Sequence, residues 1–219
     1  MNQRLIIHNS VSLDCSLTGF IPDMELHYRL AAYFNPDVHL IGSETIIKGI
    51  ELFGEAIPAE EENDFNPPVR SAEFPWWVIV DSGGKLEGVL HTCRRFEYCR
   101  DVIVLISKTT PEKYKSYLKE RNYRYLVTGK EKVDLKIAFR HLRKEFNVEV
   151  ILTDTGKVLG NILLNKGMAS EISLVYNPVI IGEKCYSMFS DINKNLKMKL
   201  EKTEVFPNGC IWMVYNLGT

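Results

Sequence analysis

The sequence predicts an α/β fold: a mainly parallel central sheet with helices on both faces and a C-terminal antiparallel hairpin. Three observations carry this. Strand-like apolar runs alternate with helical periodicity from residue 4 to residue 182, the pattern of a parallel sheet whose crossovers are helices. Two of the runs, Trp76-Trp77-Val78-Ile79-Val80 and residues 102–107, are too uniformly apolar for strands with one wet face. Past Gly182 the pattern changes: residues 196–206 alternate charge with apolarity, Pro207-Asn208-Gly209 is a turn, and residues 210–217 are apolar, which reads as a hairpin on a sheet edge.

Residues 4–12 form the first strand and lead into a loop around Asp14. An amphipathic helix follows over 24–34 on Met24, Tyr28, Ala31, Ala32 and Phe34, stopped by Asn35-Pro36. A short strand at 38–41 runs directly into Gly42-Ser43-Glu44-Thr45, and Ile46, Ile47, Ile50 and Phe53 continue as a helix. Periodicity is lost over 55–75, where Pro58, Glu60-Glu61-Glu62 and Pro67-Pro68 specify a loop or lid. Pro111 opens a helix through Tyr114, Tyr117 and Leu118, and residues 125–127 return as a strand. Asp134 caps a helix with Leu135, Ala138, Phe139 and Leu142 inward. The strand at 148–152 ends in Asp154-Thr155-Gly156, and Val158, Leu159, Ile162 and Leu163 carry the next helix to Gly167. With no repeat and no linker, residues 1–219 read as a single domain.

Composition narrows the function classes. The 219 residues are 45% hydrophobic with a net charge of -1 and a pI near 6.5, so no broad attraction to nucleic acid or anionic membrane is expected. No apolar run reaches the roughly 20 residues of a bilayer-spanning helix. The N-terminal apolar stretch is too short for a signal peptide, and the expectation is a cytoplasmic protein. The scattered Cys15, Cys93, Cys99, Cys185 and Cys210 fit reduced thiols. His91, Cys93 and Cys99 lack the paired spacing and fourth ligand of a zinc site, so no metal is expected.

The chemistry the pattern suggests is phosphate binding. At 42–45 and again at 154–156 a strand passes into a helix through small residues, which leaves backbone N–H groups at the helix start, where a phosphate binds with least help from side chains. Such turns also occur as plain structure in any α/β protein. Neither a Gly-x-Gly-x-x-Gly fingerprint nor a P-loop lysine followed by Ser or Thr is present.

Six further stretches add to this: Ser12-Leu13-Asp14, Val78-Ile79-Val80-Asp81-Ser82, Ser107-Lys108-Thr109-Thr110-Pro111, Asp154-Thr155-Gly156-Lys157, Met168-Ala169-Ser170-Glu171-Ile172, and Asn177-Pro178-Val179-Ile180-Ile181-Gly182. Taken in order with Gly42-Ser43-Glu44-Thr45, they resemble the dihydrofolate reductase-like fold, and specifically the pyrimidine reductases of riboflavin biosynthesis, including the C-terminal reductase domain of the bifunctional deaminase-reductase. The resemblance implies NADPH along the C-terminal ends of the strands, its pyrophosphate at Gly42, Ser43 and Thr45 and at Asp154, Thr155 and Gly156. It places Ser107 and Lys108 at the adenosine 2′-phosphate, where a hydroxyl and a cation pair with it. Ser12 and Asp14 then face the nicotinamide and substrate, with Asp14 orienting a substrate hydroxyl or amine. The implied activity is hydride transfer to a small-molecule substrate, a ribosylaminopyrimidine phosphate or pterin-like compound, in a homodimer. Because the cofactor carries that chemistry, no catalytic triad is required.

The departures from the family pattern are specific. Cys15 replaces the glycine after the aspartate, Ser16 a lysine often found next, and Thr155 a glycine of the pyrophosphate turn. The Asp-Asn-Pro stretch that grips the sugar phosphate is not recognisable in 48–58, and the zinc-deaminase signature is absent. Two other classes therefore stand beside the reductase: a non-catalytic dimeric nucleotide-binding protein that keeps the fold, and a structural α/β module.

Overall fold

The computed structural model describes residues 3–53 and 57–218; residues 55 and 56 of the expected 55–75 loop lie outside them. In chain order the elements are β1 (Arg4–Ser12), α1 (Met24–Ala32), β2 (Val38–Gly42), α2 (Ser43–Phe53), β3 (Trp76–Val80), α3 (Leu90–Arg95), β4 (Val102–Ile106) and α4 (Glu112–Glu120). There follow β5 (Arg124–Val127), α5 (Leu135–Phe146), β6 (Val150–Thr153), α6 (Lys157–Asn165), β7 (Glu171–Asn177), β8 (Lys199–Val205) and β9 (Ile211–Asn216). They form two compact units, Met1–Pro36 with Val150–Thr219, and Asp37–Glu149. Among the described residues no helix is long and apolar enough to cross a membrane.

In the first unit β1 is central. It pairs in parallel with β6, Ile6 opposite Leu152, and with β7, Ile6 opposite Glu171. The expected hairpin closes this unit's edge: β9 runs antiparallel to β7 and β8 antiparallel to β9, with a register shift between Leu200 and Lys202. One strand face, carrying Ile6, Leu152, Val175 and Trp212, packs on Leu26, Leu30 and Phe34.

Both helices of this unit exist where the periodicity predicts them, but each is turned differently. In α1 the inward residues are Leu26, His27, Leu30 and Ala31, while Met24 and Tyr28 of the expected stripe are exposed and the helix stops at Ala32. The strand face that α1 covers also carries Ser10, which hydrogen-bonds His27, and His8, which bonds the His27 carbonyl, so part of the helix's inward face is polar. In α6 Val158 and Ile162 are exposed, and Gly160, Asn161, Leu163 and Leu164 face inward.

The second unit follows its pattern closely. β2, β3, β4 and β5 pair in parallel in that order, and all five residues of β4 are buried, whereas β3, also expected to be covered on both faces, has Trp76, Trp77 and Val80 only partly buried. Asp134 caps α5 by accepting from the Ile137 amide, and Leu135, Ala138, Phe139 and Leu142 are its buried residues. Tyr114, Tyr117 and Leu118 of α4 join Ile79, Leu90, Val104 and Ile106 in the core. The short α3 has no sequence signal of its own, because six residues are under two helical turns.

Residues 57–66 are irregular apart from a 3-10 turn at Glu62–Phe65, and they are fastened down. Arg94, 3% exposed, bonds Asp101 at 2.9 Å and the Asp64 carbonyl at 2.6 Å. Arg95 holds the Asp64 carboxylate at 2.8 Å, Arg121 bonds Glu60 at 2.7 Å, and His91 Nε2–H donates to the Pro58 carbonyl at 2.8 Å. Gly129 sits at φ +75°, where a Cβ would lie 2.1 Å from the Lys132 carbonyl oxygen, so the turn after β5 admits only glycine.

Candidate functional site

Parallel strands end on one side, so in each unit the residues just past the strands' C-termini gather along a single edge, the usual ligand edge of α/β sheets. In the first unit this edge carries Ser12 and Asp14 after β1, Asp154, Thr155 and Gly156 after β6, and Asn177 at the end of β7, where it lies opposite Ser12. In the second it carries Gly42, Ser43 and Thr45 at the β2–α2 junction, Asp81 and Ser82 after β3, and Ser107 and Lys108 after β4.

The Asp14 loop is tightly knit. Ser12 Oγ donates to the Asp14 carboxylate at 2.5 Å, and the Gly182 and Ile181 amides donate to it at 2.8 and 3.2 Å. These bonds, the Ser12 hydroxyl foremost and then the Gly182 amide, lower its pKa to about 2. Asp14 is thus an anion and a hydrogen-bond acceptor at neutral pH, which suits orientation of a substrate donor and not proton donation. Cys15 occupies φ +60°, so the left-handed backbone that a glycine favours is kept although the glycine is gone. Cys185 Sγ donates to the Asp14 carbonyl at 3.3 Å, and Met188 N donates to the Cys15 carbonyl at 2.9 Å, which ties the loop to the segment after β7.

The β6–α6 turn has the features of an anion cradle. Gly156 is the N-cap of α6 and no side chain caps the helix, so its first amides have no side-chain acceptor. A Cβ on Gly156 would meet nothing within 4 Å, which leaves room for close approach. Asn161, 3% exposed, has both amide atoms without a hydrogen bond among the described residues. Lys157 begins the helix, where a cation opposes the helix dipole; its Nζ lies 3.4 Å from Asp191 and 5.1 Å from the centre of the Tyr186 ring.

In the second unit Ser43 is 9% exposed at the first position of α2, and Thr45 is half-buried. Ser107 is fully buried: its amide donates to Thr110 Oγ1 at 2.9 Å and its hydroxyl is 3.3 Å from the Thr109 and Thr110 hydroxyls. Ser107 therefore shapes the turn, and the exposed Lys108 is the group this turn offers to solvent. Thr110 Oγ1 donates to the Ser82 carbonyl at 2.8 Å, and Lys108 N donates to the Gly129 carbonyl at 3.3 Å, so the ends of β3, β4 and β5 are laced together.

Comparison with known proteins decides the family. The sequence model of the RibD C-terminal domain matches residues 22–212. The chain belongs to the RibD C-terminal domain family. No protein of curated function matches its sequence. Among solved structures it is similar to a pyrimidine reductase-like protein from Corynebacterium diphtheriae, with 18% identity and a TM-score of 0.71 over 99% of this chain and 92% of that one. It is similar to the riboflavin biosynthesis reductase Rib7 of Saccharomyces cerevisiae, with 15% identity and a TM-score of 0.65 over 99% and 90%. It also matches RibD of Acinetobacter baumannii, with 16% identity and a TM-score of 0.69, over its whole length but only 59% of that chain.

In this RibD C-terminal domain two buried residues, Asn161 and His27, escape sequence reasoning, while Lys157 stands in the Asp154-Thr155-Gly156-Lys157 stretch without an assigned role. Lys157 carried a usable signal, a lysine at a helix start, where its charge is unfavourable without a partner. Asn161 and His27 gave none, because a polar residue inside a helical pattern is ordinarily placed on the wet face.

Proposed function

We propose that this protein is an NADPH-dependent reductase that transfers a hydride to a ribosylaminopyrimidine phosphate or pterin-like substrate in riboflavin biosynthesis. The observation that carries the reading is membership of the RibD C-terminal domain family across residues 22–212. NADPH, when bound, supplies the hydride. The chain's part is to bind and orient. The uncapped α6 start, with Thr155, Gly156 and Lys157, supports a phosphate site, and Asp154 stands beside it. Gly42, Ser43 and Thr45 at the start of α2 supply a second set of backbone donors. Lys108, exposed beyond β4, is the cation assigned to the 2′-phosphate, with Ser107 fixing its turn. Asp14, held anionic by Ser12 and two backbone amides, accepts a hydrogen bond from a substrate hydroxyl or amine while Ser12 sets its orientation. The proposal extends to a cytoplasmic homodimer.

The test is fluorescence titration of NADPH into the purified protein, with NADH as control, followed by NADPH oxidation on addition of the ribosylaminopyrimidine phosphate. Saturable NADPH binding weaker for NADH, with substrate-dependent oxidation, is the expected result. No binding at millimolar NADPH removes the reading. One observation favours the second reading, a nucleotide-binding relative without catalysis: the Asp14 carboxylate is already engaged by its own loop and by the segment after β7. Tight NADPH binding without substrate-dependent oxidation would establish it.

A further inference from the structure

Two thiols of the first unit share a neighbourhood that the proposed chemistry leaves unused. Cys93, Cys99 and Cys210 are buried, whereas Cys15 and Cys185 are half-buried, and both stand beside Asp14. Cys15 follows it in the chain. Cys185 closes the 3-10 turn that begins at Gly182, whose amide donates to the Asp14 carboxylate. Cys185 Sγ is 3.3 Å from the Asp14 carbonyl oxygen, one peptide bond from Cys15, which places it within about 6 Å of the Cys15 Cα. The Cys15 thiol is held by a hydrogen bond with Tyr176, and Cys185 is close enough to act on its ionisation. The two backbones are pinned together at the same place: Met188 N donates to the Cys15 carbonyl at 2.9 Å, Leu17 N to the Tyr186 carbonyl at 3.1 Å, and Ser16 pairs antiparallel with Ser187. Disulfides join Cα atoms about 4.4–6.8 Å apart, and the spacing of paired segments falls inside that range. Cys15 also keeps its side chain at φ +60°, where a glycine would sit without strain, which sets a thiol at a place the backbone alone would not choose.

We propose that Cys15 and Cys185 form a modification site: a low-molecular-weight disulfide oxidises them to an intramolecular disulfide, which locks the loop carrying Asp14 to the segment after β7. One protein thiol, as its thiolate, attacks a sulfur of the reagent, whose S–S bond breaks and releases a small thiol that takes up a proton. The other protein thiol, its proton lost, attacks the protein sulfur of the mixed disulfide, forms the Cys15–Cys185 bond and releases the second small thiol. Both protein thiols are oxidised, and the two electrons and two protons leave on the small thiols. Burial, the largest influence, holds the Cys15 thiol above its ordinary range, so it stays protonated at neutral pH and the exchange is slow. Disulfides of this kind, in a reducing compartment, are transient and serve as sensors. The new bond takes Cys185 Sγ from the Asp14 carbonyl and the Cys15 thiol from Tyr176, so the oxidised loop is rebuilt around Asp14. Its effect on activity rests on the reading of Asp14 as the group that orients the substrate, whereas formation of the bond does not.

The experiment exposes the intact wild type, Cys15→Ser and Cys185→Ser to millimolar oxidised glutathione and then to dithiothreitol. Intact mass and peptide mapping read the bond, the Ile181 and Gly182 amide signals read the Asp14 loop, and substrate-dependent NADPH oxidation reads its consequence. The wild type should lose the mass of two hydrogens, and the mapped link should join Cys15 to Cys185. Both amides should shift, and the rate should fall about ten- to a hundred-fold, the cost of misplacing an orienting group. Dithiothreitol should restore all of these. Neither serine variant should form the link. If Cys15→Ser does not fold, Cys185→Ser serves alone, since serine keeps a donor for the Asp14 carbonyl. Glutathione adducts without the link, no reaction at millimolar disulfide, or a link that leaves both amides and the rate unmoved overturns the inference while leaving the reductase reading intact. The link and the amide shifts in a protein that oxidises no NADPH even when reduced remove the reductase reading and leave the inference standing.

Discussion

In the second unit α4 and α5 turn apolar and aromatic groups inward: α4 buries Tyr114, Tyr117 and Leu118, and α5 buries Leu135, Ala138, Phe139 and Leu142. In the first unit the helices bury polar groups beside their leucines, His27 in α1 and Asn161 in α6, and β1 adds His8 and Asn9. Burying a polar group costs free energy unless it is hydrogen-bonded, so such residues are kept where they have a task. The difference marks the second unit, around α4 and α5, as an apolar-packed scaffold whose buried His91 and Arg94 on α3 fasten residues 57–66, and the first as the one whose helices keep polar inner faces beside the proposed phosphate turn. Each prediction below sharpens that contrast or breaks it.

The largest effect is expected in the scaffold. Arg94→Met leaves Asp101 buried without its guanidinium and frees the carbonyl of Asp64, and urea unfolding should show a loss of about 3–5 kcal/mol. NADPH affinity measured below the unfolding transition should be unchanged. Gly129→Ala comes next: the added methyl meets the Lys132 carbonyl at 2.1 Å in a left-handed backbone, for a loss of about 2–3 kcal/mol by the same assay. A scaffold that tolerated both would refute the division of labour drawn above.

Substitutions at the cradle should do the reverse. Lys157→Ala is predicted to weaken NADPH about three- to ten-fold, the loss of one charge-assisted bond, while changing stability by less than about 0.5 kcal/mol, because its pair with Asp191 is partly exposed. A drop in stability without a change in affinity would assign Lys157 to structure alone.

The pattern of what was legible in the sequence follows the same division. The succession of strands along the chain, the β2–α2 and β6–α6 turns and the closing hairpin were readable from periodicity, and in α4 and α5 so were the buried faces, because apolar spacing and inward direction agree there. For α1 and α6 the existence of the helix was readable but its rotation was not. Met24, Tyr28, Val158 and Ile162 have the spacing of a core face and are exposed, since His27 and Asn161 occupy the inward positions. Arg94 was illegible for a related reason: its burial depends on Asp101 and on carbonyls of residues 64 and 121, contacts that no local pattern records.

Two smaller effects test the loop after β1. Cys15 holds a left-handed conformation that costs a β-carbon residue about 1–2 kcal/mol, so Cys15→Gly should raise stability by about 1 kcal/mol after the added flexibility of the unfolded chain is counted. Asp14 has a folded pKa of about 2 against an ordinary 3.8. A lowered folded value means the stabilisation is present above the unfolded pKa and is lost as pH falls through the folded one. Asp14→Asn should therefore lower the thermal midpoint at neutral pH, and the gap to the parent protein should close between about pH 4 and about pH 2.

The most direct test of the phosphate cradle is the backbone amide spectrum of the protein during NADPH titration. Large, saturable shifts of the Lys157, Val158 and Leu159 amides, at the same NADPH concentrations that quench fluorescence, are the predicted result. Saturable NADPH binding that leaves those three amides unmoved would contradict it.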